Sequence, residues 1–154
     1  MLILKDGSYV TNLPKVLVAI PAYNEEECIE GTILELKRVA PEFDFVVIND
    51  GSRDCTLELC TNLGCNVINM LINCGLTVGF QTAACYALEN DYDYMVQFDA
   101  DGQHRPEYIS ELVSKAQFDN ADIVIGSRFL SMRKDMSMRM LGSRMITFLI
   151  KMLT

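Results

Sequence analysis

Short apolar runs alternate with amphipathic stretches along this chain, the pattern of strands and helices taking turns. Lys15-Val-Leu-Val-Ala-Ile20 is nearly unbroken apolar sequence and predicts a buried strand ended by Pro21. Asn24 predicts the cap of a first helix, with Glu25, Glu26 and Glu27 in its first turn at the positive end of the dipole. Ile29, Ile33, Leu34 and Leu36 supply that helix with an apolar face. Phe43 to Ile48 predicts a second strand, followed by the turn Asn49-Asp50-Gly51-Ser52 and a helix capped by Asp54 with Leu57 on its buried side. A third strand is expected from Cys65 to Met70, then a loop running into a helix from Gly75 to Leu88. Tyr94 to Phe98 predicts a fourth strand. Pro106 suits the first turn of a helix that continues to about Phe118. Asp122 to Ile125 predicts a fifth strand, closed by Gly126-Ser127-Arg128.

Strand–helix alternation with short connections predicts an α/β fold with a parallel sheet. In such sheets ligands bind outside the carboxyl ends of the strands. Those ends carry Pro21-Ala22-Tyr23-Asn24-Glu25, Asn49-Asp50-Gly51-Ser52, Asp99-Ala100-Asp101-Gly102-Gln103-His104 and Gly126-Ser127-Arg128. Polar groups are therefore expected to converge on one rim.

Two carboxylates one residue apart at a strand end, Asp99 and Asp101, can turn toward one hard cation. Mg2+ or Mn2+ takes one or two carboxylates and fills its other positions with water and phosphate oxygens. The competing reading is that both aspartates only shape a turn, where Asp and Gly are common. Asp50 admits the same two readings, a turn former or an acceptor for a base or ribose. As a polar residue at a turn tip it is expected to be replaceable without loss of the fold. Glu25 either stabilises a helix start or joins the site. Arg128 is either a surface cation or a fork for a phosphate. His104, the one histidine of the chain, is expected to be structural or solvated rather than a ligand contact.

Charge and cysteine content narrow the class. The net charge of -8 argues against a general nucleic-acid binder, which needs a basic face. The acids crowd the first 127 residues, whereas residues 128–154 carry six Lys and Arg against Asp135 alone. The six cysteines form no C-x-x-C pair, and with one histidine they argue against a Cys/His zinc site. The apolar run Met1–Leu4 is too short for a secretory leader, so the thiols are expected reduced in a cytoplasmic protein. No uncharged apolar stretch reaches the ~20 residues of a membrane span.

Pro21-Ala22-Tyr23-Asn24-Glu25, Asn49-Asp50-Gly51-Ser52-Arg53-Asp54, Phe98-Asp99-Ala100-Asp101-Gly102-Gln103-His104 and Gly126-Ser127-Arg128-Phe129 occur in the order found in family-two glycosyltransferases. The sequence most resembles the polyprenyl-phosphate sugar transferases, the group of the dolichyl-phosphate mannose synthases, over roughly residues 15–154. One departure is Asn49, where the family often has a first Asp. The resemblance implies a GT-A fold, an inverting transfer and a nucleotide-diphosphate sugar donor. It implies that Pro21, Ala22, Tyr23 and Glu25 line the nucleotide site with Asp50, Asp99 and Ala100. It implies that Asp99, Asp101 and Gln103 bind Mg2+ or Mn2+, and that Asp101 and Arg128 serve the chemistry beside the donor. Residues 1–14 are then an N-terminal extension, 15–130 the nucleotide-sugar-binding core, and 131–154 the start of the acceptor region. The fold is expected to be truncated on its C-terminal side.

Residues 137–153 place Met138, Leu141, Met145, Phe148, Leu149 and Met152 on one helical face, with Arg139, Arg144 and Lys151 scattered round the rest. Such a helix either packs on protein, the remainder of the chain or a second copy, or lies on an anionic membrane at its cytoplasmic face. The membrane reading suits a polyprenyl-phosphate acceptor. Two alternatives stand beside the transferase: a donor-binding fragment without turnover, and an aspartate-nucleophile phosphatase built on Asp99-Ala100-Asp101-Gly102. The sequence has no G-x-G-x-x-G after its first strand and no G-x-x-x-x-G-K-[ST], which argues against dinucleotide and P-loop enzymes.

Overall fold

The computed structural model describes residues 2–3, 9–10 and 14–127. Arg128 and the basic segment 131–154 lie outside the described residues, as does the boundary expected at residue 130. The chain divides into two compact units, Met1–Asp122 and Ile123–Thr154.

In the first unit, β1 (Leu2–Ile3) and β2 (Tyr9–Val10) form a small antiparallel pair. The main elements follow as β3 (Val16–Ala22), α1 (Ile29–Val39), β4 (Asp44–Asn49), α2 (Thr56–Asn62), β5 (Val67–Asn69), α3 (Leu76–Glu89) and β6 (Tyr94–Gln97). A 3-10 turn at Pro106–Tyr108 leads into α4 (Ile109–Asp119). Strands β5, β4, β3 and β6 lie side by side in that order, all parallel.

The apolar run of β3 is continuous because both faces of the sheet are covered. Val18, Ile20 and Ala22 point to one side, where they meet Ile29, Ile33 and Leu36 of α1, Cys60 of α2 and Ile109 of α4. Leu17 and Ala19 point to the other, with Val46 and Ile48 of β4 against Ala83 and Ala87 of α3. Each fully buried Leu, Ile or Val contributes roughly 1.5–3 kcal/mol by leaving water. Register aligns Ala22, Asn49 and Asn69 across the three neighbouring strands, so their carboxyl ends open onto one edge.

Several local expectations change. Helix α1 begins at Ile29, four residues later than an Asn24 cap requires. Asn24 adopts a left-handed φ of 55° and turns toward the neighbouring loop instead. The Glu25 carbonyl accepts the amides of Cys28 and Ile29, closing a separate turn before the helix. The buried stripe of α1 is Ile29, Thr32, Ile33 and Leu36, spaced by three and four; Leu34 falls off it and is 50% exposed. No strand forms over residues 122–125: Ile123 and Ile125 are 81% and 82% exposed. A run of β-branched residues fits a strand, but a strand exists only where a partner accepts its ladder.

Candidate functional site

The loops at the carboxyl ends of the strands are fastened to one another chiefly by side chain to backbone hydrogen bonds. Asn24 receives the Arg53 amide on Oδ1 at 2.8 Å and gives its own amide to Ser52 Oγ at 3.0 Å. Thr56 Oγ1 accepts the Glu25 amide at 2.9 Å, and Asp54 accepts the amides of Glu26 and Thr56. Glu26 returns the favour by accepting the Cys55 amide at 2.9 Å. Asp54 thus supports the start of α2 from just outside it, as a capping carboxylate does. These bonds lock the β3 and β4 loops into one surface.

Asp50 is buried, at 6% exposure, and both carboxylate oxygens are engaged. Oδ1 accepts the Cys74 amide at 2.7 Å and Oδ2 the Gly75 amide at 2.8 Å. Beside it Gly51 holds a φ of 66°, and a Cβ there would lie 2.5 Å from the Ile72 carbonyl carbon. Only glycine permits this approach. Asp50 and Gly51 therefore clamp the loop ahead of α3 onto the rim. The expectation of a replaceable residue at a turn tip gives way here: two backbone donors depend on one carboxylate. Behind the clamp, buried Asn49 donates from Nδ2 to Asn69 Oδ1 at 2.7 Å and accepts the Ser52 hydroxyl. An Asp at position 49 would lose that donor.

The third loop follows β6. The Phe98 amide still bonds to the Ala19 carbonyl at 2.9 Å, and then the chain turns away. The Ala100 carbonyl accepts the Thr32 hydroxyl at 2.9 Å, which pins the loop to α1. Asp101 Oδ1 accepts the Gln103 amide at 2.9 Å, and Gly102 turns the chain with a φ of 72°. Gln97 Nε2 donates to Asp99 Oδ1 at 3.1 Å, and His104 lies against Asp99 from the other side.

These loops bring Glu25, Asp99, Asp101 and Asp54 together. The Glu25 carboxyl is pushed above its ordinary range by burial first, and then by the negative charges of Asp101, Asp54 and Asp99. Pro21 is half-buried and Tyr23 exposed on the same edge. Ala22 and Ala100 have their side chains in the core, so their backbone is what they offer to the rim. Arg128 lies outside the described residues.

Among the described residues no three His, Cys, Asp or Glu side chains form a ready-made metal cage. The donors present still fit Mg2+ or Mn2+. They are hard oxygens, their charges add to burial in weakening the acidity of Glu25, and such ions are commonly held by one or two carboxylates with phosphates and water. Thr32 and Thr56 fasten the site and stand outside the segments marked out by the sequence, while Ser52 stands in a strand-end segment without a role of its own there. Thr32 carried a signal, as the one polar residue on the buried stripe of α1.

Glycosyl transferase family 2 matches residues 17–152. The chain is 34% identical over 119 residues to an undecaprenyl-phosphate mannosyltransferase of Micrococcus luteus, covering 74% of this chain and 48% of that protein. It is 30% identical over 132 residues to a polyprenol monophosphomannose synthase of Mycolicibacterium smegmatis, covering 82% and 49%. The chain thus spans about half the length of these curated relatives. Among solved structures it resembles a mannosyltransferase of Pyrobaculum calidifontis in complex with GDP-Man and Mn2+, with a TM-score of 0.58 and 21% identity over 75% of this chain and 35% of that one. It also resembles the glucosyl-3-phosphoglycerate synthase of Mycobacterium tuberculosis bound to Mn2+, UDP and glucosyl-3-phosphoglycerate, with a TM-score of 0.54 and 21% identity over 66% and 39%. The fold is GT-A, and the phosphatase alternative falls with it. Four parallel strands, helices on both faces and the ordered segments of the rim lead to one conclusion: this chain belongs to glycosyl transferase family 2.

Proposed function

We propose that the chain is the donor-binding portion of an inverting, metal-dependent glycosyltransferase that uses a nucleotide-diphosphate sugar and a polyprenyl-phosphate acceptor. The observation that carries this reading is the crowding of Glu25, Asp99 and Asp101 at the strand ends, where Glu25 is pushed toward its neutral form by burial first and then by its acidic neighbours. A divalent cation held by Asp99, Asp101 and Gln103 would supply Lewis acidity to the diphosphate leaving group. Pro21, Ala22, Tyr23, Glu25 and Ala100 border the nucleotide. Asp50 serves it through the loop it clamps, and Arg128 adds a cation for phosphate. In the transfer, an acceptor phosphate oxygen forms a bond to the anomeric carbon as the bond from that carbon to the diphosphate oxygen breaks. A phosphate acceptor is already anionic at neutral pH, so no base need remove a proton first.

The undecaprenyl-phosphate and polyprenol names of the relatives support a lipid-phosphate acceptor. No helix among the described residues is long and apolar enough to cross a membrane. The basic, apolar segment 137–153 supports contact with the cytoplasmic face of an anionic membrane. The test is transfer of labelled mannose from GDP-mannose, and of other sugars from UDP-sugars, to a polyprenyl phosphate with Mn2+ present. Labelled lipid that disappears with chelator supports the transferase. Nucleotide binding with no transfer from any donor would favour a donor-binding fragment.

A further inference from the structure

We propose that His104 is a positioning residue, which sets the carboxylate of Asp99 toward the cation; this rests on the donor-site reading above. The bend from Asp99 to His104 closes without the imidazole, through Gly102 and the bond from the Gln103 amide to Asp101. The ring nevertheless returns to Asp99 and meets it twice. Nδ1 accepts the Asp99 amide at 3.0 Å, and Nε2 lies 3.4 Å from Asp99 Oδ2. Phe98, at 3% exposure, braces the ring edge-on with centroids 5.5 Å apart and planes at 79°.

A ring nitrogen that accepts an amide N–H carries no proton, so a neutral imidazole here has its proton on Nε2, the nitrogen facing Oδ2. Gln97 Nε2 stands on the opposite oxygen, 3.1 Å from Oδ1. One oxygen of Asp99 therefore takes the Gln97 N–H while the other lies beside the Nε2 edge of His104, so the carboxylate is flanked on both sides. Carboxylates and imidazoles that bind metals are commonly oriented by such outer partners, whose loss weakens metal affinity about 10–100-fold. His104 thus acts on the cation through Asp99, and the site does not need it as a ligand.

Mn2+ titrated into the full chain, with free ion followed by electron paramagnetic resonance, tests this. His104→Ala should weaken Mn2+ binding at least about tenfold. His104→Asn keeps an acceptor near Nδ1 but not a donor at Nε2, and should stay weak while melting like the parent. His104→Gln, whose amide can take the place of Nε2, should recover part of the affinity. Wild-type affinity in the Ala or Asn variant would overturn the role of His104 alone. Failure of the unaltered chain to bind Mn2+ would overturn the donor-site reading and this inference with it. Independently of any metal, the 15N shifts of His104 at neutral pH should report the Nε2–H tautomer; the Nδ1–H tautomer would overturn the proposal.

Discussion

Aspartates stand at two places on the rim of this sheet, and the two places use them in opposite ways. Asp50, at the end of β4, is buried and spends both oxygens on backbone amides. The loop it clamps belongs to a stretch, residues 59–88, that contains no Asp, Glu, Lys or Arg. Asp99 and Asp101, at the end of β6, stand with Glu25 and raise its pKa. Among the described residues, the ion pairs formed by Lys and Arg lie elsewhere, at Glu35 and Asp119. A carboxylate satisfied by N–H groups holds structure together. Carboxylates crowded at one place raise one another's pKa even where each accepts an N–H, and on the proposed reading a cation would relieve that repulsion.

Substitutions should separate the two regions by size and by sign. Gly51→Ala should cost the most, about 3–4 kcal/mol, because its Cβ meets backbone and its φ is left-handed; urea unfolding of the purified chain measures it. Asp50→Ala should cost about 3 kcal/mol, since two amides lose their acceptor, and Asp50→Asn about half that. A melting point unchanged by Asp50→Ala would erase the contrast. Thr32→Val should cost about 1 kcal/mol by leaving the Ala100 carbonyl without its donor.

The smallest effect should carry the opposite sign. A carboxyl whose folded pKa is raised favours folding while protonated, and that contribution is lost as pH rises from its ordinary value of 4.5 through the raised one. Glu25→Gln should therefore stabilise the metal-free chain at neutral pH by roughly 0.5 kcal/mol, the scale of partly screened charges. The gain should vanish below pH 4. Destabilisation on the scale of Asp50→Ala would show that the acids are held together rather than forced together.

Much of this was legible in the sequence. The run at Val16–Ala22 reads as a strand because burial on both faces leaves few polar positions, whereas Tyr94–Gln97 is only partly buried and reads as one from its short apolar run alone. The four rim segments pointed to the family through their order. What the residues could not disclose was partnership. Asn24 resembles a helix cap until Arg53 and Ser52 are seen beside it. Asp50 resembles an exposed turn residue until the distant amides of Cys74 and Gly75 fold over it. The run at 122–125 has a strand's composition and, among the described residues, no partner to make it one. His104 looked structural, and the contact that gives it a task forms only when Gly102 turns the chain back.

On the proposed reading, a cation joins the crowded acids of the β6 loop to a diphosphate. Calorimetric titration of the chain with GDP, and separately with UDP, in Mn2+ and in chelator tests it most directly. One of the two should bind at least about tenfold tighter with Mn2+, and Asp101→Ala should remove this advantage while leaving metal-free binding unchanged. Equal affinity with and without the ion, or an Asp101→Ala variant that keeps the full advantage, would contradict it.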